Sequence, residues 1–368
     1  MHHQLKRTMT SMISKDTALT KVKAVLALSN LDAFLVPSSD AHGSEYVSQR
    51  DERRSFVSNF DGSAGLAAIV TTTTDQHRPT IFTDSRYKLQ TSNQLSSQWH
   101  SYISGEKNVP KLTDWLKDQL PVSKIGFDPR YSSISQVEGW TKALKNTQVE
   151  LVEVLENPVD AVWEEMGRPA PPTDPIWLLN SGESTVSKIN QLRTSMVKKG
   201  TAVAVVSALD DVAWLMNLRG GDIPYTPLFL AYCVVSDSTV TLCCHLHQLD
   251  AKVVPLLAEA NVQVRPYDAV VEVLETVASS ATNKNVWLDP LSANWHLKAS
   301  CTSLGLVVKS DQPLPIALSK AVKNALELTS IQQAHVVDGV ALSKYFCWLE
   351  NEMMNDTFEL DEVQAADR

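Results

Sequence analysis

The sequence predicts an α/β protein built as two tandem copies of one unit, each a mixed sheet flanked by helices. Three observations predict it. A helical stripe followed by a short apolar strand occurs at residues 17–36 and again at 186–206. Each copy carries a later strand that ends in Asp-Pro: Ile125-Gly126-Phe127-Asp128-Pro129 and Val286-Trp287-Leu288-Asp289-Pro290. Between the copies lies a segment with Pro158, Pro169, Pro171, Pro172 and Pro175, which is expected to resist regular structure.

In chain order, Leu19, Val22, Val25 and Leu26 recur at helical spacing and predict a helix over 17–29. Ala33-Phe34-Leu35-Val36, closed by Pro37, reads as a buried strand. Leu66–Val70, Ile81-Phe82 and the run at 124–127 are further strands. In the second copy, Val186, Ile189, Leu192 and Met196 form a helical stripe that Gly200 should end. Strands follow at 201–206, Ala231–Val235 and Val240–Cys243, with a helix over Val212–Leu218. A third segment starts near Ser319, where Asn324 and Glu327 form a capping-box pattern. The helix it opens should run to about Glu352, with apolar residues over half its circumference and no evident partner.

Composition limits the function. At 368 residues the chain exceeds what one core usually supports, and 43% hydrophobic with 20% charged residues is ordinary for a globular protein. A formal charge of -9 argues against nucleic acid as a partner, and the basic pairs Arg53-Arg54 and Lys198-Lys199 read as solvated surface charges. No apolar run is long enough to span a membrane. Five cysteines without a spacing framework read as free thiols in a reducing, cytoplasmic setting. The first fifteen residues, with Lys6, Arg7 and Lys15 and no acid, resemble a weak targeting segment less than a short extension.

Candidate chemistry is sparse. Phe60-Asp61-Gly62-Ser63-Ala64-Gly65 lacks the following Lys and helix of a phosphate loop, so it reads as a tight turn feeding a strand. Cys243-Cys244-His245-Leu246-His247 clusters metal-ligand types, but no second ligand pair accompanies it and a strand end is the simpler reading. His42, His77 and His335 read as ordinary hydrogen-bonding residues. Asp210-Asp211 are paired carboxylates at a strand-to-helix junction, where an Asp N-cap explains them better than acid–base chemistry.

Several longer strings carry a family resemblance. Ser39-Asp40-Ala41-His42, Ser44-Glu45-Tyr46, Arg53-Arg54-x-Phe56-Val57-Ser58, the 60–65 turn and Phe82-Thr83-Asp84-Ser85-Arg86-Tyr87 resemble the first domain of eukaryotic Xaa-Pro aminopeptidases. Residues 208–220, Ala-Leu-Asp-Asp-Val-Ala-Trp-Leu-Met-Asn-Leu-Arg-Gly, are similar to the second. So is the stretch from Ala321-Val322-Lys323-Asn324 through Ala334-His335 and Ala341-Leu342 to Trp348-Leu349-Glu350.

The resemblance implies an extension at 1–16, creatinase N-terminal-like domains at 17–160 and 161–318, and the first helices of a pita-bread domain at 319–368. It also implies a hydrolase that removes the residue before a penultimate proline, using a dinuclear metal centre, usually manganese. Those metal ligands and the catalytic histidines are expected beyond Arg368, so no catalytic or metal residue falls within this chain. Arg86, in the family's Thr-Asp-x-Arg-Tyr motif, is then the residue expected near substrate, with pairing to Asp84 or Asp61 as the structural alternative. The domains are expected to shape a cleft and to support a homodimer. A non-catalytic binding module of the same fold, as in the large subunit of the FACT histone chaperone, is the alternative.

Overall fold

Helix α1 (Thr17–Leu28) buries Ala18, Leu19, Val22 and Leu26, the stripe visible in the sequence, against strand β1 (Ala33–Pro37), whose five residues are all buried. The computed structural model describes residues 16–72, 77–120, 122–354 and 360–367, so the basic N-terminal residues lie outside the described part. The first domain continues through α2 (Arg53–Ser58), β2 (Leu66–Val70), β3 (Thr80–Asp84), α3 (Lys88–Gln94), β4 (His100–Ser104), α4 (Leu112–Gln119), β5 (Val122–Phe127), α5 (Ile134–Leu144) and β6 (Gln148–Glu153). Its sheet has the order β4-β3-β2-β1-β5-β6. Only β2 runs against its neighbours; the β1–β5, β5–β6 and β3–β4 pairs are parallel.

Pro158 does not break structure as the sequence suggested. It occupies the first turn of α6 (Pro158–Glu165), where the missing N–H costs nothing, and Asn157 caps that helix by accepting from Val159 N at 2.9 Å. Only the stretch from Met166 to Ile176, with the other four prolines, lacks a helix or strand.

The second domain repeats the plan: β7 (Trp177–Leu178), α7 (Thr185–Lys199), β8 (Val203–Val206), α8 (Leu209–Met216), β9 (Leu218–Arg219), β10 (Ala231–Ser236), β11 (Val240–Cys244), α9 (Val253–Glu259), β12 (Val262–Pro266), α10 (Val270–Ser280), β13 (Asn285–Leu288), α11 (Trp295–Ser303) and β14 (Val307–Lys309). Its six-stranded order, β12-β11-β10-β8-β13-β14, matches the first sheet position for position, again with one antiparallel strand, β10. Gly200, in the left-handed conformation, ends α7 as expected. The helix expected at 212–218 is shifted: Asn217 at φ 58° stops it after Met216, and Leu218 enters a strand.

The two domains meet through equivalent segments. Ser133 caps α5 and Asn294 caps α11, and these residues pair as an antiparallel bridge. Ile134 N donates to Ala293 O at 3.0 Å and Trp295 N to Ser132 O at 2.8 Å, a reciprocal exchange around a pseudo-twofold axis. The side chains cross over too: Ile134 packs in the core of the second domain and Trp295 against that of the first.

After the second sheet come α12 (Ile316–Ala321), α13 (Ala325–Met353) and a short α14 (Glu362–Ala366). Asn324 and Glu327 make the expected capping box, yet no residue of α13 is buried.

Candidate functional site

In each sheet the carboxyl ends of the five like-directed strands share one edge, where α/β folds usually place ligands. Here the segments that follow β1, β5, β8, β12 and β13 touch one another across the two domains, which brings those edges together. His42 follows β1 and is buried in the second domain: its Nδ1 lies 2.8 Å from the Ser207 carbonyl and its Nε2 2.8 Å from the Tyr267 hydroxyl. The carbonyl can only accept, so Nδ1 carries the proton, and Tyr267 donates to Nε2. Burial lowers the pKa of His42, against the opposing pull of Asp40. Asp40 Oδ1 accepts from His42 N at 2.9 Å and Ser44 N at 3.0 Å, while its Oδ2 is buried without a partner. Asn294 Nδ2 donates to Ala41 O at 2.9 Å and to the Tyr232 hydroxyl at 3.1 Å. The string Ser39–His42 is therefore domain-joining material.

Arg53 and Arg54 are not the solvated charges the sequence suggested; both are buried. Arg53 donates through Nε to Asp160 at 2.7 Å and through Nη1 to Asp51 at 2.9 Å, and lies 3.5 Å over the Tyr131 ring. Arg54 is held by the Gly62 carbonyl and the Phe60 ring, with Nε and Nη1 unpartnered, and burial lowers its pKa to about 10. It supports the 60–65 turn, which feeds β2 as expected. Gly65 sits at φ 149°, and a Cβ there would lie 2.9 Å from the Phe82 carbonyl oxygen, so the turn needs glycine.

Against this turn lies the corner that carries Arg86. Tyr87 bonds the Ser63 hydroxyl at 2.7 Å and meets Phe60 edge-on. Arg86 itself is exposed and forks onto Asp84, through Nε at 2.9 Å and Nη2 at 2.8 Å, the structural pairing allowed above. That hydrogen-bonded fork lowers the Asp84 pKa and raises that of Arg86. Asp61 is occupied elsewhere, accepting from Gln90 and Gln94.

Asp210 and Asp211 are not N-caps: Ala208 holds that position and makes no side-chain cap. They stand in the first turn of α8, still favourable to its dipole, and both pair with Lys320 of α12, Asp211 at 2.6 Å. His245 and His247 follow β11 with ring centroids 5.8 Å apart, and His245 stacks on Tyr267. Among the described residues no three His, Cys, Asp or Glu side chains come together as a metal site. No helix among the described residues is long and apolar enough to cross a membrane.

Sequence reading missed one cluster. Lys188 of α7 is buried, with Nζ donating to Asn217 Oδ1 at 2.7 Å, the Trp214 carbonyl at 2.9 Å and Ser181 Oγ at 3.2 Å. Burial depresses its pKa to about 8. Its only signal in the sequence was its place beside Ile189 on the apolar stripe.

Two six-stranded sheets of one topology, joined edge to edge, define the class. Creatinase/prolidase N-terminal domain models match residues 19–162 and 167–327, and the chain belongs to that family. Within it, the chain aligns along both domains with aminopeptidase P. A probable Xaa-Pro aminopeptidase P of Neurospora crassa is 37% identical over 98% of this chain and 53% of its own length. That of Colletotrichum graminicola is 37% identical over 95% of this chain and 58% of its own. The X-prolyl aminopeptidase of Caenorhabditis elegans, described as a cytosolic enzyme with a di-nuclear active site, superposes with a TM-score of 0.86 at 30% identity, over 96% of this chain and 59% of that one. The chain thus spans somewhat over half the length of the curated relatives it matches.

Proposed function

We propose that this chain is the cleft-shaping, N-terminal portion of a metallo-aminopeptidase that releases the first residue of peptides with proline second. The observation that carries this reading is the superposition of the whole domain pair, rather than one domain, on an X-prolyl aminopeptidase. The proposed organisation is two creatinase N-terminal-like domains at 17–160 and 161–318, with 319–368 opening a pita-bread domain that holds the metals, manganese in the full-length enzyme. The reading also takes in a cytoplasmic location and a homodimer.

Arg86 is proposed to face the cleft. It is the exposed cation of its motif, its neighbours Arg53 and Arg54 being buried, and Asp84 holds its guanidinium in one orientation. A peptidase assay on Xaa-Pro peptides with added manganese tests both statements. The chain alone should show no turnover; activity that follows the protein through purification would refute the scaffold role. Joined to the metal-binding domain of a relative, the chain should be active, and Arg86→Ala should raise KM about tenfold. An unchanged KM would remove Arg86 from the cleft.

A second reading, a non-catalytic binding module of the same fold, is favoured by the exposed apolar face of α13. An open frame encoding two Asp, a His and two Glu downstream of codon 368 would reject it.

A further inference from the structure

Helix α13 has no buried residue, so packing of an apolar face does not fix its direction. Polar joints at its base do. Asn324 works in two directions at once: its Oδ1 accepts from Glu327 N at 3.0 Å, capping α13, while its Nδ2 donates to the Ser181 carbonyl at 2.7 Å. The turn at 181–183 that receives it leaves no slack. Gly182 has φ 80°, and a Cβ there would stand 3.0 Å from both Asn324 Oδ1 and Leu326 Cβ.

That turn is tied in turn to the end of α8. Ser181 Oγ donates to Asn217 Oδ1 at 2.6 Å, and Asn217 Nδ2 donates to the Glu183 carbonyl at 2.7 Å. Lys188 bridges Ser181, Asn217 and the Trp214 carbonyl, so the C-terminus of α8 and the seat of α13 are one hydrogen-bonded body. At the other end of α8, Asp210 and Asp211 hold Lys320 of α12. A single short helix therefore holds α12 directly at its start and, through the 181–183 turn, the base of α13 at its end.

We propose that α8 is a mounting bracket that sets the direction in which α13 leaves the domain pair, with Asn324 and Lys320 as its two positioning residues. The long string at 208–220 then has a mechanical purpose: its acids clamp α12 and its terminal Asn217 anchors the seat of α13. Why the direction matters depends on the cleft-wall role proposed above. Whether α8 sets it does not.

Asn324→Asp separates the two duties. A carboxylate still caps the helix, as well as or better than the amide, but cannot donate to the Ser181 carbonyl and sets negative charge against it. Cys347 on α13 is exposed while Cys233, Cys243, Cys244 and Cys301 are buried, so it is a native site for a spin label. A second label at Val197→Cys, on an exposed position of α7, gives the distance between helix and body by pulsed electron resonance. The parent, diluted with unlabelled chain so that only distances within one copy are read, should give a narrow distribution, and Asn324→Asp one at least twice as wide, with far-UV helicity unchanged. Lys320→Met, an independent arm, should broaden it as well. A broad parent distribution, or narrow ones in both variants, would overturn the proposal. Neither result bears on peptidase activity, so it can fail while the cleft-wall role stands.

Discussion

The buried arginines show where reading at the level of single residues stops. Arg53-Arg54 looks like a surface pair in the sequence, yet Arg53 joins Asp51, two residues away, to Asp160, 107 residues away. His42 is similar: its partners Ser207 and Tyr267 belong to the other domain. Tertiary polar contacts of this kind leave no periodic trace, whereas backbone demands do. The glycines of the 60–65 turn were legible as a turn, and the structure adds the reason. At Gly65 the obstacle to a side chain is the Phe82 carbonyl, which cannot swing aside, and the backbone sits in a region that L-residues avoid. Gly65→Ala is therefore expected to destabilise the protein by roughly 1–3 kcal/mol, read as a lowered urea midpoint with unchanged slope. Wild-type stability in that variant would show the turn can relax, and would weaken its claim to hold the Arg86 corner rigid.

At the scale of elements, the local signals performed well where capping chemistry is self-contained. Asn324 with Glu327 marks the start of α13, and Gly200 marks the end of α7. They failed where one residue has two legal readings: Pro158 opens a helix instead of breaking one, and Asp210 and Asp211 occupy the first turn behind Ala208. Helix α13 also carries an energetic argument. Ile331, Leu342 and Phe346 are 41%, 48% and 60% exposed and, spaced eleven and four residues apart, fall on one side of the helix. Contiguous apolar surface of this kind drives association in water. The chain should self-associate in sedimentation at micromolar concentration, and Leu342→Glu with Phe346→Glu should shift it to monomer without lowering its thermal midpoint. A monomeric parent would show that α13 is tolerated in water as it stands.

For the whole molecule, the repeat was visible in the sequence and the way the copies join was not. The two Asp-Pro strand ends that revealed the repeat lead into the segments that exchange hydrogen bonds across the pseudo-twofold axis. Sequence shows that two segments are alike; it does not show that they touch. The joint places His42, neutral and fixed in one tautomer, among Tyr232, Tyr267, Asp40, Asp51 and His245, and this gives it a pH dependence. Burial lowers the folded pKa of His42, and those of His100, His245 and His296 shift the same way. A lowered histidine pKa contributes stability that is complete above the ordinary value of about 6.5 and declines as pH falls below it. Asp211 and Asp222, raised by burial, act in the opposite sense, in a window that opens upward from the ordinary carboxylate value near 4, whereas the ordinary histidine value lies inside the interval from pH 7.5 to 5.5. Between pH 7.5 and 5.5 the histidines should therefore dominate, and the thermal midpoint should fall on acidification. His42→Gln removes the most buried of these titrations: it should lower the midpoint at pH 7.5 and make its decline toward pH 5.5 shallower. If the decline keeps its full slope in that variant, the domain joint is not where the chain senses protons.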